Sequence, residues 1–410
     1  MTDPTLMKAS INHNACGVGV SGMEKPDRWA WSALQRINNW QQLRSYWSVF
    51  VLVFIVFLVA SCQRGPDLVR IIDSEVIDSL LAAVPQTLID TDAMDAQTWY
   101  PGKAVAQSQD SLALGPVFSF TIAHDSIYIA DFIHNHIFVA GLIGPLQRRV
   151  GSKGEGPLEF SYLPGILFNG DHFFAVEPSR IQMLSKELSY EAILPKGGDQ
   201  ELATGFGFNL AASRTHIYVQ CKRGHAYRIC PRRGEAPFEE EAPFLRSLDI
   251  DSKEPPLNGM IPMASTIDGR YVVAAFAGLP YLFVFNRAHE HVHTIRFYGS
   301  VIRDHAQNYA LREGGPPGAG VGLKHLWGSV ALSGTDMIMA SIGRRVYFVR
   351  IFEGQLFKHV ATVQFSATPS ADNDGSEVDL VAPEKLVLHK DYLYVSGFRV
   401  PHILRYRADF

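Results

Sequence analysis

Charged side chains recur at one position in a spaced series of apolar segments. His134 follows Ile127–Asp131 and Arg180 follows Phe173–Glu177. Lys222 and Arg223 follow Ile217–Cys221, Arg344 and Arg345 follow Met337–Ser341, and Arg399 and His402 follow Leu393–Gly397. If those positions are structurally equivalent, five of the six repeats offer a basic group around one mouth. There they would focus an anionic ligand such as a carboxylate sugar or a peptide terminus. The same residues would also serve as solvated turn residues, or as ion pairs for Asp131 and Glu177.

Three histidines alternate in His289-Glu290-His291-Val292-His293. On a regular strand they share a face, where neutral imidazoles could bind zinc. Their place, between a third strand and an outermost one, predicts a solvated hairpin instead. Cys221 and Cys230 invite a disulfide. With Cys221 opposite about Ala226, however, Cys230 lies ~13 Å along the strand, beyond the ~7 Å that a bridge tolerates. Ala371–Gly375 echoes a calcium loop but lacks its distal glutamate, which predicts a plain turn. No Ser-His-Asp, paired-carboxylate or Cys-His constellation stands out, so no catalytic residue is nominated.

The elements that must position these groups are visible as a repeat. A polar turn followed by an alternating apolar strand occurs six times, with strand ends at Asp131, Glu177, Cys221, Ala275, Ser341 and Gly397. The intervals are 46, 44, 54, 66 and 56 residues. Repeats of ~40–50 residues built from short strands predict propeller blades, and no segment shows a long helical period. The fold class is therefore all-β: a six-bladed β-propeller of four-stranded antiparallel blades over 112–410. The last blade falls one strand short at Phe410. Because a ring needs its seam closed, the amino-terminal segment is expected to supply that strand, near Leu68–Ser74. Residues 63–111 are otherwise read as a tether. The longest interruption, Arg303–Lys324, contains Gly314-Gly315-Pro316-Pro317-Gly318 and is expected to be a loop over one mouth.

The 410 residues are 47% hydrophobic, which is too apolar for disorder, and a formal charge of -4 gives no argument for a nucleic-acid partner. Four cysteines do not make a disulfide scaffold. Val49–Ala60 is an unbroken apolar run with Arg36 and Arg44 before it and Ser61-Cys62 after it. Basic flank, short apolar stretch and small residues form a secretory pattern over 1–62, and twelve residues are short for a bilayer span. Val59-Ala60-Ser61-Cys62 looks like a bacterial lipobox. The resemblance implies cleavage before Cys62 and a lipid on its sulfur, and Gln63 in place of Asp implies outer-membrane sorting. An uncleaved signal anchor is the other reading of this stretch.

The sharpest local motif is Lys153-Gly154-Glu155-Gly156-Pro157-Leu158-Glu159-Phe160. It resembles the G-x-G-P-G-E-F signature of six-bladed propeller lipoproteins of the Bacteroidota type, and more broadly NHL-repeat propellers, with Leu158 in place of the usual glycine. Gly154 and Gly156 would allow a tight inter-blade turn, Pro157 would stiffen it and Phe160 would plug between sheets. The tether, the closed ring and the lack of a metal or nucleophile motif predict an envelope-anchored, monomeric binding or scaffold module, without cofactor, for an anionic small molecule, a glycan or an envelope protein. The resemblance implies an alternative, a metal-dependent hydrolase or lyase with calcium or zinc in the central channel, for which Asp131 and Glu177 are the ligand candidates.

Overall fold

The computed structural model describes residues 75–92, 96–99, 104–106, 114–194, 210–220, 226–231, 238–241, 262–276, 278–313, 326–334, 336–352, 356–365, 383–397 and 401–408. Six antiparallel sheets follow one another along the chain, numbered sheet 1 to sheet 6 here. They begin with the strands Ser119–Ala123, Gly165–Phe168, Leu210–Ala212, Met263–Ser265, Trp327–Ser333 and Pro383–His389. The second strands are Ser126–Asp131, Phe173–Val176, Ile217–Gln220, Tyr271–Ala275, Met337–Ile342 and Tyr392–Gly397, which are the six repeated segments of the sequence. In sheets 1, 2, 4 and 5 these strands are buried almost throughout, because a sheet covered on both faces offers no wet side.

Each sheet is stacked on its neighbours through an apolar cluster. Tyr128 and Ile137 meet Phe173 between sheets 1 and 2, and Phe174 meets Ile217 between sheets 2 and 3. Tyr218 meets Val272 and Phe283, Ile295 meets Ile338 and Tyr347, and Phe348 meets Leu386 and Leu393. The sixth cluster joins Tyr394 and Ile403 of sheet 6 to Phe120 and Ile127 of sheet 1. First strands touch in the same cyclic order. Sheets stacked through their faces in this way are the blades of a β-propeller.

The hairpins that end the first strands also meet at one end of the stack. Asn169 Nδ2 donates to the Arg214 carbonyl, the Arg214 amide donates to the Ile267 carbonyl, and Ser333 Oγ donates to the Leu388 carbonyl. Lys390 Nζ of sheet 6 lies 2.7 Å from Asp125 Oδ1 of sheet 1.

The amino-terminal segment is more structured than a tether. The helix Glu75–Ala83 sets Ile77 and Leu81 into the cluster between sheets 3 and 4. Gln86–Asp90 then adds in parallel to the outer edge of sheet 4, and Gln97–Trp99 adds in parallel to that of sheet 5. Ala104–Val105 pairs antiparallel with Leu404 and Ile403, as the fourth strand of sheet 6. The strand expected near Leu68–Ser74 is thus supplied by Ala104–Val105, while 68–74 lie outside the described residues. The strands Gln86–Asp90 and Gln97–Trp99 are largely exposed, and all three are short, so they carry little periodic signal.

A second helix, Ser300–Glu313, occupies the start of the stretch expected to be a loop. Its amino end is capped from the amino-terminal segment: Ser300 N and Ser300 Oγ both donate to the Asp92 carboxylate at 2.6 Å. Among the residues whose side chains are described, the helix buries Ile302 and His305, three positions apart. Gly314–Gly318 and Ala371–Gly375 lie outside the described residues. No helix among the described residues is long and apolar enough to cross a membrane.

Candidate functional site

The candidate basic mouth is built from the turns after the second strands. His134 Nδ1 lies 2.9 Å from Asp131 Oδ2 with its ring partly exposed. Asp131 is itself buried and accepts from the amides of Gly115 (3.0 Å), Ile133 (2.8 Å) and His134 (3.0 Å). It is the cap of its own turn. Arg344 is half-buried and its carbonyl accepts from the Phe365 amide, whereas Arg345 Nη1 donates to the Thr91 carbonyl at 2.8 Å. Lys222, Arg223 and Arg399 lie outside the described residues, as does Cys62.

Arg180 is turned inward. Only 9% of the residue is exposed, and its Nε donates to Glu177 Oε2 at 2.7 Å. Its two terminal nitrogens donate to the carbonyls of Glu155 and Glu159. Gln182 Nε2 donates to the Glu159 carbonyl, and Gln182 Oε1 accepts from the Leu158 amide. Glu177 Oε1 takes the amide and hydroxyl of Ser161. Glu177, Arg180 and Gln182 together hold the Lys153–Phe160 motif against sheet 2, and Phe160 is fully buried between sheets 1 and 2. Leu158 sits at φ 58°, the left-handed conformation that explains why the related signature carries glycine there.

A resident metal does not fit this pair. The oxygens of Asp131 and Glu177 are taken up by protein donors, and the two carboxylates belong to different sheets. Among the described residues no three His, Cys, Asp or Glu side chains converge as metal ligands do.

The histidine triplet is rearranged by a β-bulge. Phe285 pairs with His291 and Val284 with His293, so Val292 is the extra residue and strict alternation is lost. His291 packs against Phe283 and Phe285, whereas His293 stacks on Phe357 of sheet 5 at 4.0 Å. His289 Nε2 lies 2.9 Å from the Tyr218 hydroxyl. The shared zinc-binding face is absent and the hairpin is not simply solvated. His293 is 6% exposed, and burial pushes its pKa down to about 4. In sheet 3, Gln220 pairs with Ala226 and Cys230 with Glu239, one residue from the expected register; Cys221 lies outside the described residues.

The feature that residue-by-residue reading missed is central. The first strands of all six sheets line one cavity of about 350 Å³, with Phe120, Ile166, Ala211, Met263, Val330 and Lys385 each contributed by a different sheet. Among the described residues, its walls are apolar apart from Thr121, Ser265, Ser333 and Lys385, and Lys385 is the one ionisable residue among them. Burial alone pushes the Lys385 pKa down to about 8. The residue before it, Glu384, is the extra residue of a bulge. Among the described residues its buried Oε2 has no hydrogen-bond partner, and burial pushes its pKa up to about 8. A charged pair inside an otherwise apolar first strand was the available signal. Its meaning depends on knowing that six first strands converge.

No family model matches the chain, and no curated protein matches it. Among solved structures, the chain is similar to a "putative exported protein" of Bacteroides fragilis at 10% identity, covering 80% of this chain and 100% of that one with a TM-score of 0.43. It is similar to the WD40 repeats of RRP9 at 11% identity, covering 74% and 97% with a TM-score of 0.43. It is also similar to the WD40 domain of Neurospora crassa Pan2 at 9% identity, covering 72% and 90% with a TM-score of 0.43.

Proposed function

We propose that this chain is an exported, membrane-tethered propeller of six blades that acts as a non-enzymatic binding module, with the axial cavity as its binding site. One observation carries the reading: every sheet contributes its first strand to the same cavity. Concave apolar sites with few polar groups are the default location for ligands. The six-bladed ring is supported by the cyclic order of the apolar clusters and by the pairing of Ala104–Val105 with the last sheet. Export and a lipid on Cys62 are supported by the amino-terminal pattern, and the motif resemblance points to a lipoprotein of the envelope. The hydrolase alternative lacks support, since its nominated ligands, Asp131 and Glu177, are saturated.

The test uses the full-length protein and a variant with its cavity filled, Ala212→Trp. Both are immobilised, exposed to an envelope extract and eluted for mass spectrometry. A set of small molecules released from the wild type and absent from the variant is expected. Equal recovery from both proteins would overturn the cavity as the site. Metabolic labelling with radioactive palmitate addresses the tether separately: the label is expected on the wild type and lost in Cys62→Ser.

A further inference from the structure

We infer that the axial cavity takes a small organic carboxylate on an apolar body, with the ammonium of Lys385 as its counter-charge. This rests on the reading of the cavity as the binding site and names what that site selects.

Among the described residues, the Lys385 ammonium makes neither a hydrogen bond nor an ion pair. Lys385 is half-buried, and drawing a charge even partly out of water without a partner is costly, so proteins normally pair such a group or neutralise it. Here neither is complete. With a pKa of about 8, Lys385 remains mostly protonated at pH 7. The surrounding first strands offer no counter-ion. Ser119–Ala123 of sheet 1 and Trp327–Ser333 of sheet 5 contain no titratable side chain. On the partner strand Tyr392–Gly397, the titratable groups are the phenols of Tyr392 and Tyr394. On its own strand, Glu384 is held largely neutral below pH 8, and His389 is turned to Asp125 at 3.4 Å. A carboxylate in the cavity would complete the pair, and its hydrocarbon would meet Phe120, Ile166 and Val330. The volume stands at the lower end of the ~300–1,000 Å³ usual for small-molecule sites, which favours a short chain. The bulge at Glu384 is the kind of device by which a strand re-aims the side chain beside it.

The probes are hexanoate, hexan-1-ol and hexylammonium, titrated calorimetrically into the purified full-length protein at pH 7. Hexanoate is expected to bind at least tenfold more tightly than the alcohol, and hexylammonium more weakly than either. Lys385→Met should abolish the preference for hexanoate, while Lys385→Arg, which keeps the charge, should retain it and show that the fold survives. The preference should decline above pH 8, as Lys385 loses its proton and Glu384 gains charge. Glu384→Gln should leave only the lysine part of that decline. Equal binding of hexanoate and hexan-1-ol to the wild type, or a preference that persists in Lys385→Met, would overturn the carboxylate assignment and leave cavity binding standing. If no probe binds, the carboxylate assignment falls. The binding-module reading is then judged by the cavity-filling comparison alone.

Discussion

Arg180 shows how a candidate ligand-binding cation becomes a structural one. Its guanidinium fork is matched to the Glu177 carboxylate and to the carbonyls of the Lys153–Phe160 motif. That fixes its place more firmly than a solvent-facing role would. Removing one member of a buried pair leaves the other uncompensated, at a cost of about 3–5 kcal/mol. Arg180→Leu is expected to lose about that much in denaturant unfolding. The double variant Arg180→Leu with Glu177→Leu should lose less than the sum of the two single changes, and strictly additive losses would contradict the clamp. At Leu158 the positive φ costs a side-chain-bearing residue ~1–2 kcal/mol. Leu158→Gly should therefore be more stable than Leu158→Ala by about 1 kcal/mol. His293 sets an acid limit. Its folded pKa of about 4 lies below the ordinary value of 6.5, so between these values the unfolded chain binds more protons. Stability contributed by the neutral buried ring is present above pH 6.5 and lost as pH falls towards 4, by at most roughly 3 kcal/mol. Glu384 acts in the opposite sense. Its folded pKa of about 8 exceeds the ordinary 4.5, so its contribution is lost as pH rises through that window. The difference between the wild type and His293→Gln isolates the histidine part, and it should shrink as pH drops from 6.5 to 4.

At the scale of elements, the six second strands were legible because burial on both faces makes them nearly continuous apolar runs. The strands Gln86–Asp90 and Gln97–Trp99 were not. They ride on sheet edges with Leu88 exposed, Ile89 buried and Trp99 half-buried, so neither shows a regular alternation. The helix Ser300–Glu313 was hidden for a related reason, since its cap comes from Asp92, more than two hundred residues earlier. The histidine face failed through a single bulge, and sequence alternation cannot reveal a bulge. The strand Ala104–Val105 carries the most consequence, since it completes the last sheet and Val105 is fully buried beside Ile403. Val105→Asp places a carboxylate there without a partner. Hydrogen exchange is expected to rise first across Pro383–His389, Tyr392–Gly397 and Ile403–Arg407, with the second sheet retaining its protection. Uniform acceleration across all six sheets would mean that the last one has no separate dependence on this strand.

For the whole molecule, the repeat pointed to a β-propeller, and the motif lies at the junction of sheets 1 and 2. The cavity was not legible, because it arises only when six first strands, spread over some 270 residues, are brought to one axis. Lys385 is inconspicuous in the sequence and becomes distinctive only there, as a cation that no described residue pairs, set among apolar walls. The central claim is that this axial amine awaits an anion, and its protonation can be read directly. Lysines of the full-length protein are dimethylated with carbon-13 and followed by NMR across pH, with Lys385→Met providing the assignment. The expected result is a Lys385 resonance titrating near pH 8, which moves to higher pH when hexanoate is added. A Lys385 signal that shows no titration near pH 8 and no response to hexanoate would contradict the account.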